Sequence, residues 1–590
     1  MKTWIAAALV AAAAVAVYWG ALASGFVGDD FMILHRLRAG GSVLRFFRGE
    51  FFDYYRPLGF VAHAADWRLA GADAVQFHAT NLLLHVLAAW LVLLIGSALA
   101  PRTLAGPLAA MLFALHASNH EAVVWISARF DLLATVFSLL AVYLLVRSHG
   151  AARDQDGDGG QPGAAILAAT AFLAALLSKE AAVGLPIAAA GYAVFGRHAS
   201  ARATVKRLLP WIAALAFYSA VRHLAGGIST IGGAGKLPKL VTFAAILAAL
   251  VALADDRWIG LRRRLAAHGG VVLACATGAI AALAVLAAAA HGTGLAADKL
   301  AVAGFAAFNL ISPVLDVFDL PFYLDPGTTA YWAGGAAALI AAALLVALVW
   351  RRALQDDRVW FLASFLLAAL LPISALTEGT RYLYLPSAAL ALIVALLVTE
   401  LPRPARTVTA GALAILMAVS AWQISRKVRD WQWAGRLTGG GARMVDAALA
   451  PSCGQGHVVF LTEPVALRSV YTHFLYETFE LPRGCMPAQF DVLARLVRID
   501  SAVEAHWQTP RDIVIVAPEY QGNLSLSADL RNFGPPIRST APLTLDTPLG
   551  RLRAERDGAA ERLTLSLAPG LDPRQVLFYY YSQGAMRPLQ

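Results

Sequence analysis

From residue 4 to residue 424 the chain returns repeatedly to apolar runs of roughly 13–21 residues, broken by short polar or glycine-rich segments. A run of about 20 apolar residues wound at ~1.5 Å per residue matches the ~30 Å hydrocarbon core of a bilayer. Backbone inside lipid must satisfy its own hydrogen bonds, which leaves helices and closed barrels. The runs do not alternate, so they predict helices. Composition agrees, with 59% hydrophobic and 15% charged residues where soluble chains carry about a quarter charged.

Spans are expected near 4–23, 79–99, 104–116, 132–147, 164–178, 181–196, 208–225, 239–254, 270–290, 331–350, 359–376, 385–400 and 406–424. That makes an α-helical polytopic membrane protein of about 13 transmembrane helices. A Pro-broken stretch from Phe305 to Phe322 reads as a re-entrant or interfacial hairpin. The N-terminus mimics a secretory signal, with Lys2 and the small-residue site Ala21-Leu22-Ala23. Its apolar core exceeds the usual ~7–15 residues, so it reads as an uncleaved first span. Past residue 430 the pattern changes. Strand-like runs at His457–Leu461, Asp512–Val516, Leu563–Leu567 and Gln575–Tyr581, with a helical stretch at Ala488–Leu496, predict a small C-terminal α/β domain. The division is a membrane module over 1–430 and a soluble domain over 431–590.

The formal charge of +10 is not a nucleic-acid signature, because the basic residues sit in short loops between spans. Arg102, Arg147, Arg197, Arg202, Lys206, Arg207, Arg351, Arg352, Arg403 and Arg406 fall on one side, as the positive-inside rule requires. The other side, with the C-terminal domain, is then extracytoplasmic. Of the three cysteines, Cys453 and Cys485 would meet an oxidising compartment, as a disulfide or as two thiols. Two motifs fail on inspection. Asp154 to Gly159 begins like a calcium loop, but Ala165 stands at the twelfth position. Gly232 to Lys236 lacks the spacing and the Ser/Thr of a phosphate loop.

Four polar clusters share the outer side: Asp29-Asp30, the stretch His116 to Asp131, Lys179-Glu180, and Glu378 to Arg381. Ionisable groups at span ends are costly and point to chemistry or to helix-locking pairs. One reaction needs this set. Moving a sugar from a lipid phosphate to a hydroxyl takes a base for the acceptor proton and cations for the departing phosphate. Carboxylates at a span end supply the first, and arginine forks suit the second. Arg129 and Arg381 are the best placed phosphate ligands, with Lys179 and Arg56 behind them. His116, His120, Glu121, Asp131, Glu180, Glu378 and Tyr384 are supporting groups. On one helix His116 and His120 share a face, a spacing open to a divalent metal or to a structural role; no cofactor is otherwise implied. His78, Asn81 and His85 read as interhelical hydrogen-bonding groups.

The same residues carry a family resemblance. Asp29-Asp30, Tyr55-Arg56-Pro57-Leu58, Phe77-His78-Ala79-Thr80-Asn81 through His85, His116…His120-Glu121 with Arg129-Phe130-Asp131, Ser178-Lys179-Glu180, Glu378-Gly379-Thr380-Arg381-Tyr382 and Arg429-Asp430-Trp431 follow in order. That order resembles the GT-C superfamily of polyprenyl-phosphate-sugar glycosyltransferases. Within it the likeness is to transmembrane O-mannosyltransferases with TPR repeats and their bacterial counterparts. It covers about residues 20–435. The resemblance implies a catalytic acidic pair at Asp29 and Asp30, with Asp29 the base. It implies an inverting enzyme using a polyprenyl-phosphate-linked sugar, mannose being the candidate, with a hydroxyl of a protein or envelope glycan as acceptor. Residues 440–590 lack the 34-residue period of the repeats, so their acceptor is not carried over. The composition and the missing repeats point to a bacterial inner membrane. A membrane transporter or lipid flippase and a non-catalytic envelope scaffold are the rival readings.

Overall fold

The computed structural model describes residues 3–49, 54–147, 162–225, 237–254, 260, 355–371 and 380–449, and most of 456–471, 488–517 and 543–589. Glu378, the three cysteines, the segments 154–159, 232–236 and 291–329, and the expected spans 270–290 and 331–350 lie outside the described residues.

The described helices of the first part are, in order, α1 (Thr3–Tyr18), α2 (Asp29–Arg38), α3 (Pro57–Ala70), α4 (Ala74–Leu99), α5 (Ala105–Ala114), α6 (His120–Val124), α7 (Arg129–Arg147) and α8 (Pro162–Ser178). They are followed by α9 (Leu185–Gly191), α10 (Ala201–Leu224), α11 (Leu237–Ala252), α12 (Asp357–Leu370), α13 (Tyr384–Thr399) and α14 (Arg403–Leu449). Among the described residues five segments are long and apolar enough to cross a membrane: Thr3–Ala23, Ala74–Leu99, Ile126–Arg147, Thr380–Thr399 and Arg403–Arg436. Local chemistry sets several starts. Asp73 caps α4 by accepting from Val75 N at 3.0 Å, and Asp356 caps α12 by accepting from Arg358 N at 2.9 Å.

Helix α1 is apolar all round, so its packing face is chosen by size rather than polarity. Ala6, Val10 and Ala14, four residues apart, are buried, while Trp4 and Leu9 stay exposed as a lipid-facing surface would require. Trp90 Nε1 on α4 donates to Ala7 O at 2.9 Å and closes that contact. Polar side chains stitch other helices together. His85 bridges Tyr384 OH at 2.7 Å and Ala114 O at 3.1 Å, while Ser387 donates to Asn119 Oδ1 at 3.0 Å.

Two sequence expectations need correction. The expected span 104–116 is only the ten-residue α5, about 15 Å long and half a bilayer. Asn119 Nδ2 donates to Phe113 O at 2.9 Å, and that bond caps the helix and turns the chain. The expected helix at Ala488–Leu496 is strand. Gln489-Phe490-Asp491-Val492 alternates with a period of two and pairs in parallel with His457–Phe460.

Beyond α14 the strands are β1 (His457–Phe460), β2 (Gln489–Val492), β3 (Glu504–Thr509), β4 (Asp512–Ala517), β5 (Leu543–Thr547), β6 (Gly550–Asp557), β7 (Ala560–Leu567), β8 (Val576–Ser582) and β9 (Ala585–Pro588). They form a four-stranded sheet ordered β9-β8-β1-β2 and a five-stranded antiparallel sheet ordered β3-β4-β7-β6-β5, beside two ladders of two-residue strands. A shared core of Val459, Ile513, Leu552, Leu565 and Phe578 joins the sheets.

Arg129 is the pin of the first part. It is 0% exposed. Nε donates to Asn81 Oδ1 at 2.8 Å, Nη2 to Phe77 O at 2.8 Å and Nη1 to Ala62 O at 3.2 Å, and Nη1 lies 2.5 Å from Asp66 Oδ2. It ties α7 to α3 and α4 with every nitrogen engaged. Removing one partner of such a pair leaves a buried charge, at a cost of about 3–5 kcal/mol. Thermal unfolding in detergent should therefore show Arg129→Met strongly destabilised, and the double variant Asp66→Leu/Arg129→Met restored most of the way.

Candidate active site

The first polar cluster is built on a tight turn. Gly28 takes φ 54° and ψ −126° at the start of α2, a left-handed conformation that glycine adopts without penalty. Behind it, the backbones of Gly25 and Gly435 meet so closely that a Cβ on Gly435 would lie 2.4 Å from Gly25 N. The turn is thereby seated against α14, and Asp29 and Asp30 enter the first turn of α2. The positive end of the helix dipole favours their charge there.

The two aspartates part company in their bonding. Asp30 is 1% exposed, and its carboxylate accepts from Val27 N at 2.9 Å, Ser127 N at 2.8 Å and Ser127 Oγ at 2.5 Å. Burial pushes its pKa up to about 7 against those hydrogen bonds. Asp29 is half-buried and makes no hydrogen bond among the described residues. Burial raises its pKa as well, and the guanidiniums of Arg381 and Arg56 pull it partly back. A base must have an open lone pair, and Asp29 has one.

Around Asp29 the other clusters do converge, as three ion pairs. Arg56 grips Glu180 with two bonds, Nε to Oε2 at 2.9 Å and Nη2 to Oε1 at 2.5 Å. Lys179 Nζ contacts both oxygens of Asp131 at 2.6 and 2.7 Å. Arg381 pairs through Nη1 with Glu121 Oε1, while Arg381 N at 2.9 Å and Thr380 Oγ1 at 3.1 Å donate to Oε2. Burial opposes charge on Glu121, yet Arg381 holds its carboxyl below the ordinary range. The Tyr382 ring is shared, 4.6 Å from Lys179 Nζ and 4.6 Å from the Arg381 guanidinium carbon.

Beneath this ring lies a small cleft lined by Asp131, Thr135, Ser138, Arg381, Tyr382 and Leu385 with several alanines. Asp29 is not part of its lining. Arg381 links the two, forming the cleft's wall while its charge reaches Asp29.

Several sequence assignments change. Arg129 is removed from the phosphate ligands, since a fully buried guanidinium with every nitrogen bonded has nothing left to offer. Arg381 and Arg56 each keep 14% of the side chain exposed. His116 and His120 do not share a helix face. His116 precedes the 3-10 turn Ala117–Asn119 and bonds Ser118 Oγ at 2.7 Å, while His120 opens α6 and bonds Ala117 O at 2.9 Å. Among the described residues no group of three or more His, Cys, Asp or Glu is arranged to hold a metal. Tyr384 is buried against His85, as a helix fastener rather than a cleft wall. Asp66, Ser127 and Tyr382 are contributors that sequence reasoning missed, because their roles depend on partners 63, 97 and 203 positions away.

No protein-family model matches the chain. Over 188 residues it is 32% identical to the protein O-mannosyl-transferase Tmtc1 of Drosophila melanogaster, covering 29% of this chain and 21% of that protein. Over 155 residues it is 25% identical to the protein O-mannosyl-transferase TMTC3 of Homo sapiens, covering 24% and 17%. The chain thus spans about a fifth of the length of these relatives. The apo crystal structure of the Archaeoglobus fulgidus oligosaccharyltransferase matches 83% of this chain and 64% of its own, with a TM-score of 0.50 at 14% identity. The chain shares the fold of that oligosaccharyltransferase. Its relatives in sequence are named O-mannosyl-transferases, and its relative in structure is named an oligosaccharyltransferase.

Asp30 gives the site a pH signature. A native pKa of about 7 against an unfolded 3.8 means that the folded state holds the proton more tightly. Its stabilising contribution is present below the unfolded value and is lost as pH rises through the folded one. The melting temperature should fall between about pH 5 and about pH 8. An Asp30→Asn variant, which cannot ionise, should show a flatter profile in the same scan.

Proposed function

We propose that the protein is an inverting glycosyltransferase that moves one sugar, with mannose the candidate, from a polyprenyl-phosphate donor to a hydroxyl of a protein or envelope glycan. The observation that carries this reading is Asp29, a carboxylate without a hydrogen-bonding partner among the described residues, beside two guanidiniums, those of Arg381 and Arg56. Asp29 takes the proton of the acceptor hydroxyl as its oxygen attacks the anomeric carbon. The bond from that carbon to the phosphate oxygen breaks on the opposite face, which inverts the configuration. The leaving phosphate gains negative charge, which Arg381 and Arg56 stabilise. Lys179 is a further cation beside the Tyr382 ring, anchored by Asp131. Asp30 orients the turn and touches no reacting atom.

Topology supports an extracytoplasmic site in an inner (plasma) membrane. Following the helices, Arg102, Arg147, Arg197, Arg403 and Arg406 fall at the ends opposite to Asp29, Glu121 and Arg381. This is the arrangement of a positive cytoplasmic side.

One observation favours the scaffold reading: each of the three site cations already has a carboxylate partner. A donor phosphate would have to take the place of Glu121 or Glu180. Purified protein in proteoliposomes with labelled polyprenyl-phosphate sugar separates the readings. Asp29→Asn should lower kcat by about 10²–10⁴ with little change in donor KM. Arg381→Gln should cost about 10²–10³ in kcat/KM. The acid limb of the wild-type pH profile should lie above the ordinary carboxylate value of 3.8, because the base is lost early as pH falls through its raised pKa. Full transfer by Asp29→Asn would remove the assignment.

A further inference from the structure

Trp125 follows α6 and leads into the 3-10 turn Ile126–Ala128, at 5% exposure. Three contacts radiate from its indole. Nε1 donates to Val27 O at 3.4 Å, two residues before Asp29. The ring lies 4.8 Å from the guanidinium carbon of Arg381. Its centroid is 6.2 Å from that of Trp431 on α14. Val27 is thereby held on both sides, its N–H donating to the Asp30 carboxylate and its C=O shared by Trp125 Nε1 and, at 3.1 Å, Asp30 N.

We infer that Trp125 is a positioning residue that fixes the separation between the Asp29 carboxylate and the Arg381 guanidinium. The two groups are 352 positions apart in the sequence, on α2 and on the turn Thr380–Leu383, and the indole touches the support of one and the charge of the other. Only two peptide links separate Val27 from Asp29, so a shift of the Val27 carbonyl moves the carboxylate. Tryptophan is the side chain that provides both a ring N–H and a large, electron-rich face on a frame with two rotatable bonds. The buried Trp431 backs the indole and limits its tilt.

Two substitutions separate the two contacts. Trp125→Phe keeps a face for Arg381 and loses the N–H, while Trp125→Leu loses both. Hydrogen exchange on the full chain in nanodiscs reads the clamp directly, whether or not the protein transfers sugar. Trp125→Phe should speed exchange in residues 24–31 about 5-fold and leave residues 380–386 within about twofold of wild type. Trp125→Leu should speed both segments. Unchanged exchange in residues 24–31 in both variants, or an equal rise throughout the bundle, would overturn the inference.

A kinetic arm, which rests on the proposed glycosyl transfer, adds a readout that loosened packing alone does not produce. Trp125→Phe should lower kcat about 10-fold with donor KM within about twofold, whereas Trp125→Leu should lower kcat and raise KM. Equal changes in both parameters for both variants would refute positioning. Absence of transfer by the wild type would count against the proposed function, with the exchange result still deciding the role of Trp125.

Discussion

The carboxylate of Asp30 is the tie on which the end of the bundle around α2 depends. It receives two backbone N–H groups and one hydroxyl from two segments 100 positions apart, the turn at Val27 and the turn at Ser127. Removing the carboxyl would leave two buried backbone N–H groups and a hydroxyl without the acceptor they share. With that tie in place, Gly28 can hold its left-handed turn, α2 begins where it does, and the Asp29 carboxylate has no hydrogen-bonding partner among the described residues. Two neighbouring residues of one chemical type thus differ in environment: one is taken up by structure, and the other keeps the open lone pair that the proposed base requires.

Charge balance around the pair follows the same logic. Placing ions at a membrane surface with little water is expensive unless each is matched. Arg56–Glu180, Lys179–Asp131 and Arg381–Glu121 satisfy that condition, and Arg129–Asp66 satisfies it deeper, with no exposure. The difference between these pairs lies in access. A guanidinium that keeps some solvent can trade its carboxylate for another oxyanion. One enclosed by Asn81, Phe77, Ala62 and Asp66 cannot.

Sequence made the helical membrane class legible, because apolar runs of span length have few other uses. It also marked the clusters that meet, since ionisable residues beside such runs are conspicuous. It did not tell Arg129 from Arg381. Both follow a polar turn and open an apolar helix, and only the three-dimensional neighbours reveal that the first is sealed. The histidine pair misled for a local reason: a spacing of four implies a shared face only within one helix, and the Ala117–Asn119 turn breaks that premise. The stretch 488–496 misled because short apolar alternation reads equally well in two periods until a neighbouring strand arbitrates. Asp66, paired with a residue 63 positions later, left no pattern to find.

Helix α14 spans 47 residues, about 70 Å at the helical rise, more than twice the thickness of a bilayer's apolar core. The β-strands follow its C-terminal end in sequence. Along the same rod, Trp431 backs Trp125, Gln432 donates to Gly20 O at 2.6 Å and Gly435 abuts Gly25. A tilt of that one continuous rod would carry the turn that holds Asp29 with it.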